Sequence, residues 1–262
     1  MTRRRGRRHR YDDDFVMSQA ATHLAAGLGF TQAVSGQGCL GLLLLDTQFP
    51  RPAGDLGLAA SYPVPVLRVV VHGAWPAKVV GSKAGLRKAA LVEGFKRAVI
   101  QLQRQGAWAI TTSCGFLVLL QKELQGVATV PVETSSLLQL PRLLAEQAQV
   151  GVLTISSAAL SEEYLRSAGV PRERLADVVV QGVPAQSEFA SAILNNRAEM
   201  DIDRARADVV AAAVALKARA PGLTTVVLEC TNMPPYAQAI TQATGLRAVS
   251  LLDSVRLFKP FA

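Results

Sequence analysis

The feature of this sequence that most constrains its fold is a repeated alternation of short apolar runs with longer segments of helical periodicity. From residue 39 onward, runs rich in Leu and β-branched residues end in Gly, Ser, Thr or Pro, and Ala-, Leu-, Arg- and Glu-rich stretches follow them. The runs are continuously apolar, which is typical of strands buried on both faces of a parallel sheet. We therefore predict a doubly wound α/β fold.

Eight strands and four helices are predicted in this alternating part of the chain. The predicted strands cover residues 39–46, 66–71, 107–113, 130–133, 149–155, 177–182, 224–229 and 247–252. The predicted helices cover residues 87–105, 161–168, 203–220 and 236–244. Gly106, Gly169 and the pair Pro221-Gly222 act as stop signals for the first three of these helices.

The order of these elements repeats along the chain. In the first half of the chain, a strand is followed by a long helix and by a strand that leads into Ser113-Cys114. The second half has the same order, and its last strand leads into Glu229-Cys230. In open α/β sheets, ligands bind outside the carboxyl ends of the strands. The repeat therefore predicts two pseudo-symmetric, doubly wound α/β lobes with the active site in the cleft between them.

The predicted domain boundaries follow the same pattern. Residues 1–37 form an Arg-rich N-terminal extension that we expect to be partly disordered. Residues 38–135 form the first lobe and residues 136–240 the second. The C-terminal segment, residues 241–262, is expected to return to the first lobe.

The net charge of +8 does not indicate a nucleic-acid partner, because six of the basic residues are arginines within residues 1–10. The rest of the chain is nearly neutral and has few aromatic side chains for base stacking. No apolar run approaches the length of roughly 20 residues that a membrane span needs. We expect a cytoplasmic protein with neither a nucleic-acid nor a membrane partner.

The three cysteines, Cys39, Cys114 and Cys230, are widely spaced and have an odd count, which argues against a disulfide framework. With three histidines and no CxxC spacing, a metal site is not expected either. Any function of these cysteines is therefore expected to use the free thiol.

The segment Thr111-Thr112-Ser113-Cys114-Gly115-Phe116-Leu117 places a thiol where a strand turns into a Leu-rich helix. A helix N-terminus stabilises anions and lowers the pKa of a cysteine, which favours a reactive thiolate. Gly115 allows a ligand carboxylate to approach the backbone closely. The alternative is a buried cysteine that packs as a small hydrophobic residue.

The segment Leu228-Glu229-Cys230-Thr231-Asn232-Met233-Pro234-Pro235 has the same arrangement. A strand again leads to a cysteine, which is followed by two hydrogen-bonding side chains and by prolines that suit the first turn of a helix. Two cysteines at equivalent places of two half-repeats indicate an active site more strongly than either would alone.

The segments TTSCGFL, PVETSSLLQ and LECTNMPPYAQAI resemble the aspartate/glutamate racemase superfamily, which includes hydantoin racemases, maleate isomerases and arylmalonate decarboxylases. The run LLLLDTQFPRPAGDLG is similar to the first strand and loop of one branch of that superfamily. The resemblance covers residues 39–255. It departs from glutamate racemases after the first strand, which here reads Asp46-Thr47-Gln48-Phe49, and at Asn232, where they carry a histidine.

The resemblance implies a two-base mechanism that needs no cofactor. One cysteine, Cys114 or Cys230, removes the proton at Cα as a thiolate, and the other delivers a proton to the opposite face as a thiol. A small carboxylate-bearing substrate is the expected ligand, and a homodimer is expected from the same resemblance. The substrate-binding residues that it implies are Asp46, Thr47, Gly115, Phe116, Ser135, Ser136, Thr154, Thr231 and Asn232.

Several roles stay open at the level of sequence. Asp46 could instead cap a turn, and Thr47, Ser135, Ser136 and Thr154 could be turn residues. Glu229 could bind a substrate ammonium, tune Cys230 or pair with a surface arginine. Arg51 and Arg68 could contact a distal carboxylate, although solvation at the surface is the expectation for both.

Three functional hypotheses follow. The first is a racemase or epimerase of an acidic or related amino acid. The second is another reaction on the same scaffold, either a maleate-type cis–trans isomerisation with one cysteine adding to the double bond or a biosynthetic lyase or cyclase reaction. The third is a non-enzymatic binding role, which the retention of both cysteine motifs disfavours. Fold analogy alone does not separate the first two.

Overall fold

The computed structural model describes residues 38–80, 85 and 90–258, and the predicted N-terminal extension lies outside these residues. Two four-stranded parallel sheets form the framework, and each has its own set of flanking helices. The first sheet holds β1 (Cys39–Leu45), β2 (Val66–Val71), β3 (Ala107–Thr112) and β4 (Val132–Glu133). The second holds β5 (Val150–Thr154), β6 (Val178–Gly182), β7 (Thr225–Leu228) and β8 (Arg247–Val249).

The two sheets have the same strand order. The first runs β2-β1-β3-β4 and the second runs β6-β5-β7-β8, so each strand of one lobe has a counterpart in the other. All eight predicted strands are present, and every pairing is parallel. This confirms the predicted α/β fold of two pseudo-symmetric lobes.

Nine α-helices are described, eight between these strands and one after the last strand. They are α1 (Pro76–Val79), α2 (Leu91–Arg104), α3 (Gln121–Gln125), α4 (Leu140–Glu146), α5 (Glu162–Ser167), α6 (Glu188–Leu194), α7 (Ile202–Arg219), α8 (Ala237–Thr244) and α9 (Val255–Phe258). Short 3₁₀ helices cover Ala59–Ser61, Gly115–Leu120, Ser136–Gln139, Arg172–Asp177, Pro234–Tyr236 and Leu251–Asp253. Each of the four predicted helices corresponds to an observed one, and part of the first lies outside the described residues. No helix in the described ranges is long and apolar enough to cross a membrane.

The lobes are joined by a continuous apolar core. One cluster of buried side chains runs from α2 and β3 in the first lobe to β5, α7 and β7 in the second. At its centre the ring of Phe116 meets the ring of Tyr164 edge to face, with 5.1 Å between ring centroids. Burial on both sides of each sheet explains why the strand sequences are continuously apolar.

The C-terminal segment returns to the first lobe later than predicted. β8 pairs with β7, so residues 247–249 complete the second sheet instead of leaving it at residue 241. The return begins at Ser250, and Leu257 then packs among the first-lobe residues Leu40 and Leu42. The indole N–H of Trp108 donates to the Leu257 carbonyl over 3.0 Å and fixes this contact.

Candidate active site

Cys114 and Cys230 lie at equivalent places in the two lobes. Each cysteine follows the third strand of its lobe in sequence order, β3 or β7, at the carboxyl edge of the sheet. Both are buried, with 8% and 7% of their surfaces exposed. The Thr231 hydroxyl donates to the Ser113 carbonyl over 2.6 Å, so the two cysteine turns contact each other across the lobe boundary.

Both cysteines line one pocket of about 340 Å³, counted with its open mouth. Most of the lining is apolar and comes from both lobes. The lining residues are Leu45, Thr47, Phe49, Arg51, Pro76, Val80, Ser113, Cys114, Gly115, Phe116, Ile155, Ile193, Glu229, Cys230, Thr231 and Asn232.

Burial and, to a smaller extent, the charge of the Glu229 carboxyl raise the pKa of the Cys114 thiol to about 12. Three groups oppose this increase: the backbone N–H groups of Phe116 and Leu117, and the Arg51 guanidinium. The N–H groups belong to the 3₁₀ helix Gly115–Leu120, which takes the place of the predicted Leu-rich α-helix start. Cys114 is therefore a neutral thiol at pH 7, and donors for its thiolate are already in place.

Burial also raises the pKa of Cys230 well above its ordinary value. The charges of Glu229, Cys114 and Asp55 raise this pKa as well, each by less than burial does. The thiol donates to Asn232 Oδ1 over 3.5 Å. Asn232 is oriented by Asp55, because its Nδ2 donates to Asp55 Oδ2 over 2.8 Å. This chain of hydrogen bonds holds Cys230 in its protonated form.

Residues 46–58, which we call the capping loop, cover the pocket and connect the first lobe to the second. Leu56 N donates to the Thr231 carbonyl over 3.0 Å, and Gln48 N donates to Asn196 Oδ1 over 2.8 Å. Within the loop, Arg51 Nη1 lies 2.6 Å from Asp55 Oδ1 and Nη2 donates to Thr47 Oγ1 over 2.9 Å. The guanidinium also lies over the Phe49 ring, 4.5 Å from its centroid.

Glu229 is fully buried and lines the same pocket. Its Oε2 accepts a hydrogen bond from Thr154 Oγ1 over 2.7 Å, and its Oε1 has no hydrogen-bond partner among the described residues. Burial raises its pKa to about 8, although the Thr154 hydrogen bond opposes the increase. Glu229 is thus neutral at pH 7, and its hydrogen bond with Thr154 takes the place of the pairing with a surface arginine.

This raised pKa predicts how stability depends on pH. Between the ordinary value of 4.5 and about 8, the folded chain retains a proton on Glu229 that the unfolded chain has lost. The free energy of unfolding therefore falls as pH rises through this window, by at most about 1.4 kcal/mol per pH unit from this group. Glu229→Gln should lack this contribution in urea unfolding. The free energy of unfolding of the variant should therefore increase relative to that of the wild type from pH 5 to 8. A constant difference between the two proteins would contradict it.

The structure brings seven of the predicted site residues to the pocket: Thr47, Cys114, Gly115, Phe116, Cys230, Thr231 and Asn232. The other four predicted residues do not line it. Asp46 Oδ2 accepts from Gly73 N over 2.9 Å and is a turn-capping residue. Ser135 accepts from Leu137 N and caps a 3₁₀ helix, and Ser136 Oγ donates to the Leu228 carbonyl across the lobe boundary. Thr154 holds Glu229 from behind the pocket.

Arg51 was expected at the surface, and this expectation is wrong. Only 11% of its side chain is exposed, because Asp55 neutralises its charge and Phe49 covers its face. The sequence signal was the i, i+4 spacing of an arginine and an aspartate, which is ambiguous in a segment without helical periodicity. Arg68 is exposed, as expected.

Comparisons with known proteins identify the family and support the fold. The family model of the Asp/Glu/hydantoin racemases matches residues 66–258, and the chain belongs to this family. Similar folds with a TM-score of 0.55 are glutamate racemase from Bacillus anthracis, allantoin racemase from Klebsiella pneumoniae and a cysteine-substituted mutant of arylmalonate decarboxylase. The glutamate racemase is 16% identical to the chain, and the match covers 86% of this chain and 80% of that one. The allantoin racemase is 14% identical, over 84% of this chain and 85% of that one. The arylmalonate decarboxylase mutant is 18% identical, over 85% of this chain and 94% of that one. The chain is an enzyme of the aspartate/glutamate racemase superfamily.

Relatives by sequence carry a different name. The chain is 28% identical to a dimethylsulfoniopropionate lyase of Durusdinium sp. clade D, over 84% of this chain and 73% of that protein. It is 30% identical to dimethylsulfoniopropionate lyase 5 of Emiliania huxleyi, over 82% of this chain and 44% of that protein. The chain therefore spans less than half of the second relative.

Proposed function

We propose that this chain is a lyase that eliminates a sulfonium group from a small zwitterionic carboxylate of the dimethylsulfoniopropionate type. The observation that carries the proposal is the composition of the pocket that both thiols line. Among the described lining residues, Arg51 is the one cation and Glu229 the one carboxylate. The pair complements a ligand that carries one negative and one positive group.

The apolar lining supports a sulfonium in preference to an ammonium. A dimethylsulfonium has no N–H groups to donate, so apolar and aromatic walls such as Phe49, Phe116 and Ile155 can surround its methyl groups. An ammonium would instead need several hydrogen-bond acceptors once it is removed from water. The lining offers few, since Asn232 Oδ1 already accepts from Cys230.

The proposed reaction is a proton abstraction followed by loss of the leaving group. A cysteine thiolate takes the proton from the carbon next to the carboxylate, and that electron pair becomes the new C=C bond. The bond from the neighbouring carbon to sulfur breaks, and its electrons leave with dimethyl sulfide. The products are acrylate, dimethyl sulfide and a protonated thiol, which returns its proton to water. The backbone N–H groups of Phe116 and Leu117 and the Arg51 guanidinium lower the pKa of Cys114 and so favour its thiolate.

The carboxylate end would be held on the side of the pocket formed by the capping loop and the cysteine turns. Arg51 has five N–H donors and spends two of them on Asp55 and Thr47, so donors remain for a substrate oxygen. Negative charge that develops on the carboxylate during proton removal would then be stabilised by groups already in position.

Racemisation of an amino acid is the second candidate. It is favoured by the presence of both thiols in one pocket and by the unpartnered Glu229 Oε1, which could accept from an ammonium. The two candidate reactions differ in how many thiols they require. Elimination needs a single base, whereas racemisation needs an acid and a base on opposite faces of the substrate.

Proton NMR in D₂O tests the proposal. The purified protein is incubated separately with dimethylsulfoniopropionate and with a panel of acidic and neutral amino acids. We expect vinyl resonances of acrylate and the methyl singlet of dimethyl sulfide from the first substrate, and unchanged Cα–H signals from the amino acids.

The alternative outcomes are distinct. Loss of an amino acid Cα–H signal without acrylate, abolished in both Cys114→Ser and Cys230→Ser, would establish the racemase candidate and overturn the lyase. Absence of acrylate and of exchange would also overturn it. Asp46→Asn serves as the control variant, because Asp46 caps a turn beside the pocket without lining it.

A further inference from the structure

We propose that Glu229 binds the cationic end of the substrate as a carboxylate and thereby selects zwitterions over neutral carboxylates of the same shape. This inference rests on the proposed function for the identity of the ligand and extends it to a specificity-determining residue. Three observations support it: the position of the carboxyl, its unused hydrogen-bonding capacity and the charges around it.

The position of Glu229 is fixed on three sides. Thr154 Oγ1 donates to Oε2 over 2.7 Å, the backbone belongs to the turn after β7, and Gly115 packs directly against it. A Cβ on Gly115 would lie 2.5 Å from Glu229 Oε1, so this oxygen is held next to the turn that carries Cys114. A ligand group beside the thiols is therefore also beside Oε1.

The unused oxygen is the second observation. A fully buried carboxyl oxygen without a partner is costly, and most buried polar atoms in native proteins are satisfied. Oε1 is unsatisfied among the described residues, although Glu229 lines the pocket. A cationic ligand in the pocket would remove this cost.

The surrounding charged groups are the third observation, because they leave Glu229 as the carboxyl that can pair with a cation. The ionisable groups near it are Cys114 and Cys230, with Arg51 and Asp55 one layer further out. Asp55 is already neutralised by Arg51 and also accepts from Gly57 N and Asn232 Nδ2. Glu229 thus holds the carboxyl that remains available to pair with a cation in this pocket.

Cation binding should be coupled to release of a proton. Glu229 carries a proton at pH 7, since its pKa is raised to about 8. An adjacent cation favours the ionised form, so binding at pH 7 should release the proton to the buffer. In the resulting ion pair the two charges compensate each other, so the ionised Glu229 does not oppose a Cys114 thiolate.

Isothermal titration calorimetry with two non-reacting ligands tests this inference. β-Alanine betaine carries a trimethylammonium group, and its tert-butyl isostere has the same shape without the charge. Wild-type protein should bind the betaine at least tenfold more tightly, and Glu229→Gln should lose this preference. Titrations in phosphate and Tris at pH 7 should show release of nearly one proton for the wild type and none for Glu229→Gln.

Two further variants keep the test decisive. Thr154→Val removes the hydrogen bond that lowers the Glu229 pKa, so proton release should persist to higher pH while the preference for the betaine is kept. Glu146→Gln, on the exposed face of α4, should behave as the wild type. Thermal melts followed by circular dichroism verify that each variant is folded.

Overturning results are equally clear. Equal affinity of the wild type for the two ligands, a wild-type preference retained in Glu229→Gln, or no binding of the betaine to the wild type would each refute the role of Glu229. The proposed lyase activity fails independently, by absence of acrylate. A Glu229-dependent preference without elimination would keep the cation site and discard the lyase.

Discussion

Replacing Gly115 with alanine is expected to abolish activity and to destabilise the protein by about 1–3 kcal/mol or more. The new Cβ would lie 2.1 Å from the Glu229 carbonyl oxygen and 2.5 Å from Glu229 Oε1. The first of these atoms belongs to the backbone and cannot rotate away, so the two cysteine turns must separate. Their separation breaks the hydrogen bond from Thr231 to Ser113 and widens the distance between the thiols. Urea unfolding and the rate of acrylate formation measure the two effects.

Gly222→Ala is the matched control for this variant. It adds the same methyl group to the turn after α7, where a Cβ at this position would meet nothing within 4 Å. We expect a stability within about 0.5 kcal/mol of the wild type and full activity. Gly115→Ala that behaves like Gly222→Ala would show that the lobes do not meet at these turns as described.

Replacing Arg51 with methionine is expected to cost about 3–5 kcal/mol of stability, because it leaves the Asp55 carboxylate buried without its counter-ion. Asp55 is 1% exposed, and its Oδ1 lies 2.6 Å from Arg51 Nη1. The loss should also extend to Cys230, since Asp55 orients Asn232 and Asn232 accepts from the Cys230 thiol. Urea unfolding measures the stability, and KM for the substrate should rise because the proposed carboxylate-binding group is gone.

The double variant Arg51→Met, Asp55→Asn separates the buried charge from the lost packing. Asparagine is neutral and still offers an acceptor to Gly57 N, so the double variant should be more stable than Arg51→Met alone. Additive losses in the double-mutant cycle would contradict the ion pair as the source of the effect. KM should stay raised in both variants, because neither restores the guanidinium.

The fold could be predicted from the sequence because most of its strands are apolar runs, and the central strands β1, β3, β5 and β7 are largely buried on both faces. Runs such as those that became β1 and β5 have no polar face to confuse with an amphipathic helix, and Gly106 and Gly169 marked the ends of helices. The residue at which the chain leaves the second lobe was harder to predict from the sequence. Strand β8 is three residues long, and its pairing with β7 is a long-range event that local periodicity does not encode.

The cysteine turns were predicted because they directly follow strands, whereas Arg51 was missed because a loop brings it to the pocket. Cys114 and Cys230 follow β3 and β7, so topology alone placed each of them at the carboxyl edge of its own sheet. Arg51 reaches the pocket through the irregular capping loop, whose course depends on contacts with Thr231 and Asn196 in the other lobe. The proposed role of Glu229 depends on the position of Gly115, which no sequence pattern supplies.

The most direct test of the central claim is the reaction of the enzyme with dimethylsulfoniopropionate deuterated at the carbon next to the carboxylate. The wild type should form acrylate and dimethyl sulfide in equal amounts, more slowly than from the undeuterated substrate under conditions where proton removal limits the rate. The double variant Cys114→Ser, Cys230→Ser should be slower by about 10²–10⁴-fold or more, because a serine hydroxyl is a poor general base. Failure of the wild type to form acrylate, or a wild-type rate in the double variant, would contradict a thiol-catalysed elimination in this pocket.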